Sequence, residues 1–202
     1  MSDVAIIDNG GANIASLRYA LERLGATSHL TADPVELRSA KRVILPGVGA
    51  AADAMSRLQA LDLVDLIPQL TQPVLGICLG MQLLFARSEE GGDGEDTECL
   101  GIISERVARF PARADYPVPH MGWNQLKVRT PSPLLAGIQD GDYVYFVHSF
   151  AVPVGPWTLA TTDYGGEFSA AIRHENFHGV QFHPERSARV GSRVLSAFLG
   201  LG

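Results

Sequence analysis

The 202-residue sequence predicts a single α/β domain over residues 1–202, in which helices flank a central, mostly parallel sheet with added antiparallel strands. Two observations predict this fold. In the first half of the chain, short apolar runs alternate with amphipathic segments, which is the pattern of βαβ units. From residue 100 to residue 183, short strand-like runs follow one another without long helical patterns between them, which indicates antiparallel strands.

The first half supplies its strands and helices in alternation. Strands are predicted at residues 4–8, 27–30, 42–45 and 74–77, where apolar residues run together. A first helix is expected between Asn13, its N-cap, and the closing Gly25. Its apolar face would consist of Ile14, Leu17, Leu21 and Leu24.

Two more helical segments follow. Asp33 before Pro34 is typical of a capped helix start with proline in the first turn. Residues 51–70 predict one or two helical stretches, interrupted near Asp62 and Pro68.

The second half begins with an acidic, glycine-rich loop at residues 89–98. A last helix is predicted at residues 188–199. Between them, strands are predicted at residues 107–110, 125–128, 143–147, 158–162 and 170–173.

Composition narrows the range of functions. Hydrophobic residues make up 46% of the chain and charged residues 19%, which suits a globular protein with a sizeable core. The net charge is −6 and the basic residues form no cluster, so nucleic acid is not an expected partner. There are only two cysteines, no signal-peptide pattern and no membrane-length apolar run, so we expect a cytoplasmic protein without membrane association.

The most informative motif is G-I-C-L-G at residues 76–80, between an apolar run and an amphipathic segment at residues 81–85. This is the nucleophile-elbow pattern G-x-S-x-G with cysteine in place of serine. Gly76 and Gly80 suit such a turn, since a Cβ at either position would clash. The motif predicts an exposed Cys78 thiol at a helix N-terminus, where the thiolate is favoured. A cysteine alone is more often a core residue, so a catalytic role for Cys78 also requires a basic side chain elsewhere in the sequence.

His183 and Glu185 supply that base and its orienting group. A short strand is predicted at residues 180–183, ending before Pro184. In an extended chain, residues two apart point the same way, so the carboxylate can accept the imidazole N–H and fix the tautomer. The other ring nitrogen is then free to take the thiol proton. An ordinary strand-end histidine beside a surface glutamate is the alternative if H-P-E is taken alone.

Together these motifs resemble the class I, triad-type glutamine amidotransferases, and the resemblance covers nearly the whole chain. The cysteine and histidine motifs, with Y-F-V-H-S at residues 145–149, fit that class. Two others are similar to motifs of one subfamily, the glutaminase subunits of imidazole glycerol phosphate synthase. They are P-G-V-G at residues 46–49 and P-H-M-G-W-N at residues 119–124.

The resemblance implies that Cys78 attacks the side-chain amide of glutamine, that His183 carries the proton to the leaving ammonia, and that Glu185 orients His183. Water then hydrolyses the thioester. No metal and no cofactor are expected.

An oxyanion hole is needed for this chemistry. The elbow supplies the backbone N–H of Leu79, and the resemblance implies a second donor at Val48. Gly47 and Gly49 flank Val48 and would let that peptide rotate, so the P-G-V-G turn is expected to act as a switch. The glycine run at residues 10–13 is expected to form a tight loop nearby, with Asn13 holding the P-G-V-G segment.

Substrate recognition is implied at five further residues. Gln82 lies one helical turn after Cys78 on the same face and matches the substrate-binding glutamine of the family. Glu90 matches its acidic residue for the α-ammonium group, with a surface glutamate as the alternative. Backbone groups of His148, Ser149 and Phe150 match the wall around the substrate, although the family more often has tyrosine where this chain has Phe150.

The resemblance also implies a partner. Ammonia released into water is protonated and lost as a nucleophile, so a synthetic glutaminase must pass it along a water-excluded path. The acceptor would be a separate cyclase subunit, a (β/α)8 barrel that forms a heterodimer with this chain. The complete synthase has lyase and glutaminase activities, and the glutaminase is expected to be nearly silent until the partner is loaded. The expected docking residues are Met121, Trp123, Asn124 and Tyr145.

Three alternatives stay open at this point. The chain could serve another acceptor synthase, such as one for anthranilate or pyridoxal phosphate. It could be an inactive module that only regulates a partner, or a cysteine stress protein that shares the elbow. The P-G-V-G and P-H-M-G-W-N motifs argue against the first, and the intact triad argues against the second and third.

Overall fold

The computed structural model describes residues 3–10, 14–91, 95–111 and 113–202. Its α-helices are α1 Ile14–Arg23, α2 Pro34–Ser39, α3 Ala51–Ala60, α4 Leu79–Gln82 and α5 Ala188–Leu199. Short 3₁₀ turns lie at Ile67–Gln69, Pro133–Leu135 and Pro184–Arg186. Its strands are β1 Val4–Ile7, β2 Ser28–Thr31, β3 Val43–Gly47, β4 Val74–Cys78, β5 Phe85–Ser88, β6 Thr97–Glu98, β7 Ile103–Arg109, β8 His120–Gln125, β9 Lys127–Val128, β10 Tyr143–His148, β11 Phe150–Ala151, β12 Thr158–Asp163, β13 Glu167–His174 and β14 Phe177–Val180.

The central sheet has eight strands in the order β2-β1-β3-β4-β14-β13-β12-β9. The first five strands in this order are parallel to one another, and β13, β12 and β9 add antiparallel pairs at one side. Smaller sheets pair β10 with β8, and β11, β7, β5 and β6 with one another. The predicted fold class is therefore confirmed.

Two cores pack against opposite faces of this sheet. Alternation along β1 sends Ile6 to one core and Ile7 to the other. Leu21 of α1 and Phe198 of α5 cover the first face, and Leu58 of α3 covers the second. Helices on both faces leave the carboxyl ends of the parallel strands open at one edge, where sites of such sheets lie.

Several local predictions are confirmed. The Asp33 side chain accepts hydrogen bonds from the first N–H groups of α2, and Gly25 closes α1 with φ +78°. The helical stretch after residue 51 is interrupted by Asp62, with φ +57°, and resumes only as a 3₁₀ turn around Pro68. The predicted N-cap Asn13 lies outside the described residues.

The amphipathic helix predicted after Cys78 is wrong beyond one turn. Helix α4 ends at Gln82, and β5 begins at Phe85 and pairs in parallel with β7. The physical reason is tertiary pairing: Phe85 and Ser88 pair with Ile103 and Val107 of β7, and this pairing overrides the helix-like spacing of residues 81–85.

Two strand predictions also needed correction. The strand expected at residues 180–183 is β14, which ends at Val180, and the strand expected at residues 125–128 is the short β9, preceded by the unpredicted β8. None of the helices in the described residues is long and apolar enough to cross a membrane.

Candidate active site

Cys78 ends β4 at the centre of the sheet and has the strained backbone expected of an elbow, with φ +54° and ψ −112°. Both flanking glycines are sterically required. A Cβ on Gly76 would lie 2.6 Å from the Gly80 carbonyl oxygen, and a Cβ on Gly80 would overlap the carbonyl oxygen of Leu45 in β3. The crowding predicted from the sequence is therefore present, and it holds Cys78 against β3.

We expect the substitution Gly80→Ala to destabilise the fold by about 2 kcal/mol or more, because the new methyl group must displace backbone that is part of the central sheet. Urea unfolding measures the change. The matched control is Gly200→Ala, since a Cβ there meets the Ala197 carbonyl only at 3.4 Å. Equal stability of the two variants would contradict the steric account of the elbow.

The Cys78 side chain is less exposed than the elbow pattern predicts, with 7% of the residue accessible. Its Sγ lies 3.7 Å from the Val147 carbonyl oxygen and 3.7 Å from Nε2 of Gln181, and these groups cover it from two sides. Partial covering keeps bulk water away from the thiol while the side chain still borders the cleft described below.

His183 and Glu185 form the expected pair, with 2.8 Å between His183 Nδ1 and Glu185 Oε1. The geometry that brings them together differs from the prediction, because β14 has already ended and Glu185 lies in the 3₁₀ turn Pro184–Arg186. A carboxylate only accepts, so Nδ1 carries the proton. The buried Nε2 has no hydrogen-bond partner in the described residues, so it is the ring nitrogen that is available for proton transfer.

The charge state of His183 follows from its neighbours. Burial alone lowers the pKa of the imidazole, but Cys78 and Glu185 outweigh that effect and raise the pKa to about 10. His183 is therefore protonated at neutral pH, and an imidazolium beside a thiol stabilises the thiolate. This arrangement provides a nucleophile together with an acid that can protonate a leaving group.

A cleft of about 370 Å³ opens over Cys78, which is within the range of small-molecule pockets. Every residue predicted for the triad, the oxyanion hole and substrate recognition borders it. These residues are Gly47, Val48, Gly49, Cys78, Leu79, Gln82, Glu90, His148, Ser149, Phe150, His183 and Glu185.

The P-G-V-G segment runs alongside the nucleophile. Gly47 is paired in register with Cys78, and a Cβ on Gly47 would lie 2.8 Å from the Gly80 nitrogen, so only glycine allows this approach. Gly49 has φ +89°. The predicted support by Asn13 lies outside the described residues, whereas buried Asn9 donates through Nδ2 to the Pro46 carbonyl at 3.0 Å.

Gln82 is buried and held from within the protein. Its Nε2 donates to the Phe150 carbonyl at 2.9 Å and to Oε1 of Gln181 at 2.8 Å. Both hydrogens of the amide are thus used, and its oxygen is the atom left for a ligand. Glu90 is half-buried and accepts from the Ala51 N–H at 2.9 Å; burial raises the pKa of its carboxyl group. Neither residue is simply a solvated surface side chain.

Sequence reasoning missed two residues of this site. Gln181 stands between Gln82 and the thiol, and Asn9 anchors the P-G-V-G segment. Both are fully or almost fully buried polar residues at the end of, or just after, an apolar strand. That position, a polar side chain beyond a buried strand, is the signal that would have found them.

The four predicted docking residues lie outside the cleft, on the β8–β10 pair. Met121 is 62% exposed and Trp123 is 52% exposed, so Trp123 is not a core residue. Trp123 pairs in register with Tyr145, with 6.0 Å between ring centroids, and Arg186 lies over the Tyr145 ring at 4.2 Å. The neighbouring Asn124 is half-buried.

Comparison with known proteins identifies the family. The family model of class-I glutamine amidotransferases matches residues 5–199. An imidazole glycerol phosphate synthase subunit HisH of Xanthomonas axonopodis pv. citri is 52% identical over 199 residues, covering 98% of each chain. The HisH subunit of Shewanella oneidensis is 51% identical over 210 residues, covering 98% of this chain and 95% of its own.

Solved structures share the fold at lower identity. PurLQS from Thermotoga maritima superposes with a TM-score of 0.72 at 20% identity, covering 98% of each chain. The glutaminase domain of Trypanosoma brucei CTPS gives a TM-score of 0.64 at 13% identity, covering 100% of this chain and 95% of its own. The chain therefore belongs to the class-I glutamine amidotransferase family and, within it, to the HisH subunits of imidazole glycerol phosphate synthase.

Proposed function

We propose that this chain hydrolyses glutamine at Cys78 and passes the ammonia to a separate cyclase subunit, which uses it to make imidazole glycerol phosphate and AICAR. The observation that carries the proposal is the thiol at a strained elbow beside an imidazolium whose Nδ1 is held by Glu185. The lyase half of the reaction belongs to the partner subunit, and this chain contributes the glutaminase half. The free thiols Cys78 and Cys99 support a cytoplasmic location.

In the proposed mechanism, the Cys78 thiolate attacks the carbon of the glutamine side-chain amide and forms a tetrahedral oxyanion. The protonated Nε2 of His183 then gives its proton to the leaving nitrogen, and the C–N bond breaks to release ammonia. Neutral His183 next takes a proton from water, whose oxygen attacks the thioester. Glutamate leaves and the thiolate–imidazolium pair is restored.

The oxyanion would be stabilised by two backbone donors. Leu79 is the first residue of α4, so its N–H has no partner within the helix and lies next to the nucleophile. The second donor would be Val48, whose segment lies beside Cys78 through the Gly47 pairing. Losing one such donor costs about a hundred- to a thousandfold in rate, so a rotation of the Val48 peptide would be an effective switch.

Glutamine would be recognised at both of its ends. Burial leaves the Glu90 carboxylate poorly solvated and so raises its pKa, and a substrate ammonium group is therefore a favourable partner for it. The Gln82 oxygen would accept from the substrate, and the Ser149 backbone would line the wall opposite. Phe150 would also contribute backbone groups, and its carbonyl already accepts a hydrogen bond from Gln82. These backbone contacts do not require the hydroxyl group of the tyrosine that the family more often has at this position.

The proposed partner surface is the exposed face of β8 and β10, with Met121 and Trp123 as apolar anchors in a polar frame. This surface is physically close to the catalytic base. The Tyr145 carbonyl of β10 accepts a hydrogen bond from the backbone N–H of His183 at 2.9 Å. A movement of β10 on docking would therefore also move the backbone of His183. The occupant would be the (β/α)8 barrel of the cyclase, forming a heterodimer.

The test is transfer of labelled nitrogen. We expect glutamine labelled with ¹⁵N at the amide to place its label in the imidazole product even when unlabelled ammonium is in excess, provided the cyclase and its nucleotide substrate are present. Mass spectrometry of the product measures the label. We also expect glutamate release to be strongly stimulated by the loaded cyclase and absent with Cys78→Ala. Full activity without the cyclase would instead support a free-standing glutaminase, and none under any condition an inactive regulatory module.

A further inference from the structure

A chain of side-chain hydrogen bonds leads from β8, the strand that carries Met121 and Trp123, to the cleft. Asn124 Nδ2 on β8 lies 3.3 Å from Nε2 of His120, and His120 Nδ1 lies 3.0 Å from Nε2 of His148. His148 Nδ1 lies 2.7 Å from the carbonyl oxygen of Phe150, which borders the cleft. We name these four residues, Asn124, His120, His148 and Phe150, the histidine relay.

An acceptor at the inner end and a donor at the outer end fix the direction of every bond in the relay. The Phe150 carbonyl only accepts, so His148 carries its proton on Nδ1, and its Nε2 must accept from His120. His120 is then also protonated on Nδ1, and its Nε2 accepts from Asn124. The Asn124 amide is oriented independently, because its Nδ2 also donates to the Asp163 carbonyl at 3.0 Å.

Both histidines are neutral in the folded protein. Burial lowers the pKa of His120 to about 4. For His148, burial is the largest cause and the neighbouring His120 and His183 add to it, so that its pKa falls to about 3 despite the bond to Phe150. A neutral pair lets each ring act as donor at one nitrogen and acceptor at the other, as the relay requires.

The rings have little freedom to move independently. His120 is stacked between Tyr164, with ring centroids 4.0 Å apart, and Phe146, at 4.8 Å. Phe168 lies 5.1 Å from His148 and 5.9 Å from His120. Close packing of this kind passes a displacement of one ring on to the next.

At its inner end the relay reaches the nucleophile. The second lone pair of the Phe150 carbonyl accepts from Gln82 Nε2, which also donates to Gln181, and Gln181 Nε2 lies 3.7 Å from the Cys78 sulfur. A shift of the Phe150 carbonyl therefore moves a hydrogen-bond acceptor of Gln82, the residue proposed to bind glutamine. Through Gln82 it also affects Gln181, which lies beside the thiol.

We propose that His120 and His148 are positioning residues, which convert a movement of β8 on partner binding into a change in the orientation of Gln82. The inference rests on the proposed function, because only a glutaminase that responds to a partner has a use for such a link. His120 touches neither the cleft nor the exposed docking face, so its role is separable from substrate binding and from docking.

The test compares two variants. His120→Phe keeps a ring between Tyr164 and Phe146 but removes both hydrogen bonds that His120 makes in the relay. Phe168→Leu loosens the packing around the same histidines and removes no hydrogen bond of the relay. We expect His120→Phe to lower the stimulation of glutaminase activity by the loaded cyclase at least about tenfold, while the Kd for the cyclase stays within about threefold. We expect Phe168→Leu to keep the wild-type stimulation within about threefold, and thermal unfolding to show that this variant is destabilised.

The outcomes separate the two proposals. Wild-type protein that the loaded cyclase does not stimulate overturns the proposed function and the relay together. Stimulated wild-type protein with equal stimulation of His120→Phe, or an equal loss in Phe168→Leu, overturns the relay alone. If His120→Phe does not fold, ¹⁵N-histidine NMR of the wild-type chain decides: we expect both rings to be Nδ1–H tautomers whose signals shift when the loaded cyclase binds, and unshifted signals overturn the relay.

Discussion

Replacing Cys78 with serine is expected to lower the rate of glutamine hydrolysis by at least about 10⁴-fold, measured as glutamate release in the presence of the loaded cyclase. The reason is the ionisation of the nucleophile. The imidazolium of His183 stabilises a thiolate, whereas a serine hydroxyl is far less acidic than a thiol, stays protonated at this position and is a weak nucleophile. The substitution replaces one sulfur atom with oxygen and leaves the elbow backbone in place, so we expect the loss of activity without unfolding.

The chain supplies its own control in Cys99. Burial, followed by the nearby Glu98 and Glu90, raises the pKa of the Cys99 thiol to about 12, so it stays protonated and unreactive at neutral pH. We expect Cys99→Ser to keep activity within about twofold, and iodoacetamide to alkylate Cys78 first in a peptide map. Preferential alkylation of Cys99, or retained activity in Cys78→Ser, would contradict the assignment of the nucleophile.

The elbow was predictable because its chemistry is local. A Cβ on Gly80 would clash with Leu45 of β3, a contact that only the folded sheet creates, but a Cβ on Gly76, two residues before Cys78, would clash with the backbone of Gly80 within the motif itself. The same holds for the Asp33 cap of α2, whose partners are two and three residues away. Patterns of this kind depend on neighbours along the chain, and the sequence contains them completely.

The extent of α4 was not predictable, because it depends on packing that arrives from far along the chain. The sequence after Cys78 has helix-like spacing, but β5 is formed by pairing with β7, and Phe85 is further buried against Trp157. Tertiary pairing overrode the local preference. The contact between His183 and Glu185 was predicted for a strand, and a 3₁₀ turn delivers it instead.

The histidine relay could not be predicted at all. His120 and His148 are 28 residues apart, and they meet because β8 and β10 pair antiparallel in a register that places them opposite each other. Nothing in either local motif specifies that register. Long-range strand register is also what brings Gln181 to Gln82, 99 residues apart in sequence.

The substitution Glu185→Gln is expected to lower kcat/KM about a hundredfold at pH 8 and to move the alkaline limit of activity to lower pH. Glu185 fixes the proton on Nδ1 of His183 and helps to raise the pKa of the ring to about 10. A glutamine can turn its NH₂ group toward Nδ1, which favours the opposite tautomer and removes the base from Nε2. The loss is therefore one of orientation as well as charge.

The direction of the pH effect follows from which form of His183 is active. The leaving ammonia needs a proton from the imidazolium, so wild-type activity should hold until the pH approaches about 10 and fall as the ring loses its proton. Without the carboxylate, one of the two groups that raise this pKa is gone, and the fall in activity must begin at lower pH.

A kcat/KM profile from pH 6 to pH 10.5 measures this alkaline limit, and recovery of activity at pH 8 after exposure to pH 10 separates titration from unfolding. The matched control is Glu22→Gln on the exposed face of α1, which should reproduce the wild-type profile. An alkaline limit that is the same in Glu185→Gln and wild type would mean that Glu185 does not set the charge state of His183, and the acid in the proposed mechanism would have to be sought elsewhere.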